Sequence, residues 1–377
     1  MTTLTVDGRQ VISTPVFESY WHLAAERQRI FFRRLSGAAA PWTSDPVLRA
    51  HRFTNAYRAS DRVSQYLINR VIYGEPVDPA STVLRVLLFK IFNRIETWEF
   101  LESAAGLLTV ESFDARRLSP LLDERMGSGK RLYSAAYIMP SPQLGNARKH
   151  ANHLLLLESL LADGTVEELI RARSLAELYS MLARVRSFGP FLAFQFAIDL
   201  NYSDLFGFSE MDFVVAGPGA RDGIAKCFQD GASLDPEKVI RAVTDSAEDW
   251  FTEFGIRFPS LWGRPLQLID CQNLFCEISK YSRVAHPDVH GVSGRTKIKQ
   301  RYSPTNQPVE VGYPPMWGLP VAVSVKRSPS VASAAARSAR DLDGALFEVD
   351  LNDAPTLRLD LAPDPVPVED RFFPLVG

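Results

Sequence analysis

Residues 184–194 read "RVRSFGPFLAF", and the fold turns on what happens in their middle. Helical apolar spacing runs up to Ser187 and resumes after Gly189, so one helix (176–186) ends and another begins almost at once. Pro190 suits the first position of the second helix, where an N–H would have no partner anyway. Gly189 is expected to supply φ > 0 and a close backbone approach. The N–H groups freed at that helix start, with the helix dipole behind them, suit a phosphate oxygen. The corner is therefore either a plain turn in a helical core or a backbone grip on nucleic acid through Ser187, Gly189 and Phe191.

Outward from the corner, helical periodicity dominates. Residues 16–37, 56–74 and 81–106 each read as one helix, the last apolar nearly all round and hence central. Further helices are expected in 146–164, 174–187, 190–200, 235–255 and 266–284, many with a cap or a terminal glycine. Strand-like alternation is weak and confined to 321–325 and 346–361. The expected fold is all-α through Tyr281. A helical domain over 1–302 is followed by an irregular extension over 303–377, with a linker and an acidic, proline-rich tail in which Phe372 and Phe373 could dock.

The 377 residues, 46% apolar and 23% charged, suffice for one large domain or two intimate ones. No run of about 18 apolar residues predicts a membrane span. The start, "MTTLTVDGRQ", lacks the layout of a signal peptide, so a cytoplasmic location is expected. Three cysteines, Cys227, Cys271 and Cys276, make neither a disulfide framework nor a thiolate metal site, and they read as buried reduced thiols. His150, His153, His286 and His290 lack a metal-binding pattern, so no metal and no cofactor are expected. The net charge of −2 hides a division. Nine acids and one base between Asp341 and Asp370 give −8 there, leaving +6 elsewhere. Eight arginines lie between Glu26 and Arg62, and five bases between Arg283 and Arg301. Clustered bases are a footprint for phosphate, although solvated helix faces would give the same pattern. Arg295, Lys297, Lys299 and Arg301 read as a phosphate-binding arm.

Two side-chain constellations stand out. Asn55, Arg58, Asp61 and Arg62 fall near one face of the expected 56–74 helix. They either hydrogen-bond a flipped base, with Trp42 or Tyr57 stacking on it, or form a buried ion-pair network. Glu277, Lys280 and Tyr281, at i, i+3 and i+4, are either part of that pocket or an internal pair. Beyond the corner, "MDFVVAGPGARDGI" (211–224) sets Asp212 in an apolar run 23 residues after Gly189, ahead of a Gly/Pro turn and Arg221, a further phosphate candidate. Asp212 could also be a helix cap.

The order of corner and aspartate resembles the helix-hairpin-helix DNA glycosylases. Their hairpin, roughly L-P-G-hydrophobic-G-x-x-x-A, keeps Gly189 and Ala193 here and departs at Arg186 and Ser187. The resemblance implies a catalytic role for Asp212. With Phe191 and Leu192 where bifunctional members place a lysine, it implies water attack without a Schiff base. A carboxylate beneath the sugar would stabilise the oxocarbenium-like state of N-glycosidic cleavage.

Two other stretches are similar to the alpha-glutamyl/putrescinyl thymine pyrophosphorylase family. Residues 31–67 carry Arg34, Gly37, Pro41, Trp42, Thr43, Asp45, Pro46 and Leu48, then Phe53, Thr54, Asn55, Tyr57, Arg58, Asp61 and Arg62. Residues 273–284 carry Cys276, Glu277, Lys280, Tyr281 and Arg283. That family works on modified bases in DNA and is thought to share the glycosylase-like fold. It includes phage enzymes that attach amino acids or amines to 5-hydroxymethyluracil, and bacterial anti-phage glycosylases that excise glucosylated 5-hydroxymethylcytosine. The expectation is a monofunctional glycosylase that flips out and excises such a cytosine from double-stranded phage DNA. A base-modifying transferase and a non-catalytic binder of modified DNA are the alternatives.

Overall fold

In the computed structural model, residues 2–304 and 309–321 are described, and all of them lie in one structural unit, residues 1–326. A two-stranded antiparallel hairpin comes first, β1 (Thr3–Val6) and β2 (Arg9–Ile12). Asp7 and Gly8 form its turn, both at positive φ (52° and 75°), as a two-residue loop requires. Then Thr14 caps α1 (Pro15–Leu35), accepting the Val16 N–H at 3.2 Å, with Pro15 at the first helical position. The buried stripe of α1 packs Phe17 and Tyr20 at a tilt against Phe228 and Phe275, and Trp21 edge-to-face against Phe251, with ring centroids 4.7–4.9 Å apart.

The remaining helices are α2 (Pro46–Ala50), α3 (Arg62–Tyr66), α4 (Pro79–Phe92), α5 (Ile95–Ala105), α6 (Ala115–Gly127), α7 (Lys149–Ala162), α8 (Thr165–Ile170) and α9 (Leu175–Leu182). After them come α10 (Pro190–Leu200), α11 (Pro218–Cys227), α12 (Pro236–Asp245), α13 (Ala247–Glu253) and α14 (Leu268–Ala285). The fold is all-α among the described residues apart from the N-terminal hairpin. The tightest pair is α11 on α14, where a Cβ on Gly223 would collide with the Phe275 carbonyl. No helix is long and apolar enough to cross a membrane among the described residues.

Several expected elements divide. The stretch 56–74 is not one helix: a 3-10 turn (Arg58–Ser60) and α3 meet at an extended Asp61 (ψ 144°), and a π-helical segment follows over Leu67–Ile72. Tertiary hydrogen bonds win there, because Asp270 takes the Arg58 N–H and Asp61 takes the Asn55 N–H, both at 2.7 Å. The stretch 81–106 splits into α4 and α5 at Asn93, which adopts the left-handed conformation. Residues 235–255 split into α12 and α13 at Ser246. At the corner, Ser187 carries the positive φ (70°), while Gly189 sits at −69° and needs no glycine freedom. Pro190 does open α10, and the first helix of the pair ends earlier than expected, at Leu182.

The strand-like stretch 346–361, the linker, the acidic tail and Phe372 and Phe373 lie outside the described residues, as does 322–325.

Candidate functional site

The polar groups buried by these helices collect around Arg58. Its guanidinium donates to Gln195 Oε1 (3.1 Å) and the Tyr202 hydroxyl (2.9 Å), and pairs with Asp199 Oδ1 at 2.6 Å. Lys90 of α4 meets the other Asp199 oxygen at 2.7 Å. Gln195 and Asp199 are four apart on α10 and so share a face, with Phe191 one turn earlier on the same side. Arg58, Lys90 and Asp199 are 2%, 3% and 2% exposed. Two cations against one carboxylate leave a buried site with an excess of positive charge.

Burial sets the acid–base character. Desolvation pulls the Lys90 ammonium down to about 8 against the opposing pull of Asp199. It pushes Asp61 up to about 7, despite the Asn55 N–H that favours the carboxylate. Desolvation, and then the charge of Glu210, push Asp270 up to about 7 as well. Three groups poised near neutrality in one neighbourhood mark a functional-site candidate.

A loop between α6 and α7 covers this cluster. Tyr137, in the left-handed region (φ 53°), stacks on Phe191 with centroids 6.0 Å apart and planes 21° apart. Lys90 Nζ lies 4.2 Å from the Tyr137 ring centroid. The loop is tied down on both sides. Tyr133 and the Pro140 carbonyl contact the two nitrogens of His153 at 2.8 Å, and burial pulls that imidazole down to about 4. Phe191 in turn rests on Gly217, where a Cβ would strike its ring.

The residues singled out in the sequence separate into three groups. Asn55, Arg58 and Asp61 are brought together, linked by Arg27, which donates to the Thr54 carbonyl and to Asn55 Oδ1. Tyr57 is buried with its hydroxyl donating to the Arg264 carbonyl, so it supports the core and offers no stacking face. Arg62 is exposed and points away, because Asp61 interrupts the helix that would have aligned it. Trp42 is 7% exposed, donates to the Ala38 carbonyl and lies beneath Arg34. Glu277 accepts from Lys280 (2.8 Å) and the Thr54 N–H (3.0 Å), and Tyr281 donates to Asp45 (2.7 Å). These three join α14 to the 45–54 segment. Asp212, expected in an apolar setting, is exposed in a turn, and its carbonyl accepts from Arg241. Phe213 packs against Tyr179 and Phe194. Arg221 is exposed and pairs with Glu237. Sequence reading missed Lys90, Gln195, Asp199 and Tyr137.

The two basic runs, some 250 residues apart in sequence, meet. His51 pairs with Arg301 in an antiparallel bridge, Arg52 N–H donates to the Gln300 carbonyl and Tyr302 N–H to the Ala50 carbonyl. In this extended arm Ile298 is buried, while Arg295, Lys297, Lys299 and Arg301 are exposed, as are Thr296 and Gln300 between them. Arg49 and Arg52 are exposed beside them, and an open groove next to Arg49 is lined by Arg33, Trp42 and Thr43. The result is a basic stripe six residues upstream of Arg58. Among the described residues no three His, Cys, Asp or Glu side chains gather as metal ligands.

Residues 14–291, about three-quarters of the chain, match the family model described as "5-hmdU DNA kinase, helical domain". The chain belongs to the 5-hmdU DNA kinase helical-domain family. A relative from Bacillus phage SP10, named a 5-hmdU DNA kinase, is 26% identical over 289 residues, covering 71% of this chain and 45% of the relative. The chain thus spans a little under half the length of that relative. No solved structure matches it. Membership of the 5-hmdU DNA kinase helical-domain family overturns the expected kinship with pyrophosphorylases and glycosylases. It also overturns excision of a glucosylated cytosine, hydrolase chemistry, the role in phage defence that excision implied, and the amine-transferase alternative, since the matched family and relative are kinases. Several residues of the 31–67 and 273–284 motifs, Asp45, Thr54, Glu277 and Tyr281 among them, hold α14 against the 45–54 segment. What they specify is the 45–61 and α14 scaffold around Arg58, which does not by itself dictate a reaction.

Proposed function

We propose that this chain serves the phosphorylation of 5-hydroxymethyluracil in DNA, as the helical part that takes up the modified base. The observation that carries this reading is the buried Arg58–Asp199–Lys90 cluster beside two aromatic planes, next to a basic stripe suited to a DNA backbone. A pyrimidine with a hydroxymethyl arm needs a flat wall for its ring and charged hydrogen-bonding groups for its edge, and both are present. Family membership supports the modified base as the ligand.

Phosphoryl transfer to the hydroxymethyl oxygen requires that the hydroxyl give up its proton. Asp61, partly exposed and held near 7, suits that task better than Asp199, whose two oxygens are already paired. The nucleotide side of the reaction finds no fit here. The sequence contains no G-x-x-x-x-G-K-[S/T] phosphate loop. Gly127, Ser128, Gly129 and Lys130 lie at the C-terminal end of α6, where carbonyls and the negative dipole end disfavour phosphate. Gly217 and Gly219 are packed against Phe191 and Cys276. The reading therefore assigns this chain the base and its backbone, and no step through the nucleotide.

The test is chemical protection. A duplex with one 5-hydroxymethyluracil is treated with a mild alcohol oxidant, free and saturated with protein. Burial of the hydroxymethyl group predicts strong slowing of its conversion to the formyl base, and an unchanged rate would refute the reading.

A further inference from the structure

The covering loop has a feature that the cluster beneath it does not require. Tyr137 reaches inward between neighbours that face out: Ala135 and Ala136 are exposed, and Ile138 is 69% exposed, the most exposed large apolar side chain among the described residues. The loop is anchored on either side by buried Leu132 and Met139, so the four residues 135–138 form a tip on a fixed base. The Tyr137 ring occupies a flat slot between Phe191 and Lys90. The charges of Arg58, Asp61 and Asp199 all act on its phenol, whose ionisation burial pushes well up. A planar ring with an oxygen at its rim, stacked on an aromatic and facing charged donors, has the shape and polarity of a pyrimidine. Its backbone sits in a conformation that a non-glycine residue adopts at some cost, which makes displacement easier.

We propose that the slot between Phe191 and Lys90 is the seat of the extrahelical pyrimidine ring, that Tyr137 is its place-holder, and that Ile138 is the wedge that fills the vacated base stack. This rests on the functional reading above and gives it residues. In the free protein Tyr137 keeps the slot filled. On binding, the 135–138 tip moves out of it, Phe191 stacks on the incoming base, and Ile138 enters the duplex, as apolar wedges do at unstacked steps.

The experiment measures Kd for matched duplexes carrying 5-hydroxymethyluracil or thymine, with 2-aminopurine beside the target reporting unstacking. It uses the full chain and the variants Tyr137→Ala and Ile138→Ser. Tyr137→Ala should bind the modified duplex about tenfold more tightly, because a closed state about ten times more populated than the open one is removed. The thymine duplex should gain by the same factor, since the place-holder bars either pyrimidine ring, so the ratio between the two duplexes is kept. Ile138→Ser alters an exposed side chain, so the fold is retained, and it should abolish the 2-aminopurine rise. If the wild type discriminates between the duplexes but both variants match it, the slot assignment is overturned while the functional reading stands. If the wild type does not discriminate at all, the functional reading itself fails.

Discussion

Neutralising two bases of the arm should change how DNA binding depends on salt, by an amount the structure sets. Arg295, Lys297, Lys299 and Arg301 are all exposed along the arm, and Ile298 is the buried residue among them. Each cation that neutralises a phosphate contributes about −0.9 to the slope of log K against log salt. Four such contacts give a slope of about −3.6, so raising salt from ~50 to ~200 mM weakens binding roughly 150-fold. The double variant Lys297→Gln, Lys299→Gln should have a slope shallower by about 1.8, and two remaining contacts correspond to a loss of only about 12-fold over that range. Both side chains are exposed, so the fold should be untouched. Fluorescence anisotropy with a labelled duplex at four salt concentrations reads the slope directly. A slope unchanged in the variant would show that the arm does not follow the DNA backbone, and the paired basic runs would then be only a solvated edge.

Other consequences concern the buried cluster. Arg58→Met strands Asp199 with Lys90 alone and leaves the Gln195 and Tyr202 partners unmatched, so urea unfolding should show a loss of about 3–5 kcal/mol; a loss under ~1 kcal/mol would deny the network its structural weight. Asp61 binds its proton more tightly in the folded state, near 7 against about 3.9 unfolded, so its contribution to stability is greatest at the acid end and is lost as pH rises from ~4 to ~7. Asp270 slopes the same way, so Asp61→Asn should flatten part of the decline, on the order of 2–4 kcal/mol, in unfolding curves taken across that range; an identical pH profile would mean that Asp61 titrates normally. Asp212→Asn, at an exposed turn, should stay within about 0.5 kcal/mol of the wild type and keep its DNA affinity. A large loss of affinity there would return Asp212 to the site.

The fold was legible where local signals agreed with packing. The stripe of α1, Pro190 before α10 and the long apolar face of α14 all lie where the sequence puts them. The Asp7-Gly8 hairpin turn and Pro218 at the start of α11 obey the same rules and went unread. The 56–74 segment could not be read locally, because partners more than 200 residues away decide it: Asp270 on the Arg58 N–H and Glu277 on the Thr54 N–H. The heart of the site did leave a trace. Asp199 is the single charge in "PFLAFQFAIDL", and Lys90 one of two in "STVLRVLLFKIF". A charge inside a helix that is apolar all round must find a buried partner. That requirement picks out both residues, although not each other. Asp212 drew attention instead because its spacing from the corner fitted a resemblance, and spacing carries no information about burial.

Recognition of one oxygen atom decides whether this chain takes up the modified base. Two duplexes identical except for 5-hydroxymethyluracil or thymine at a single position differ only in that atom. A hydrogen bond from the added hydroxyl to a charged group contributes ~1.5–3 kcal/mol, so at fixed salt the Kd ratio should be on the order of 10–100 in favour of the modified duplex. Equal Kd values for the two duplexes would contradict the claim that this chain takes up the modified base.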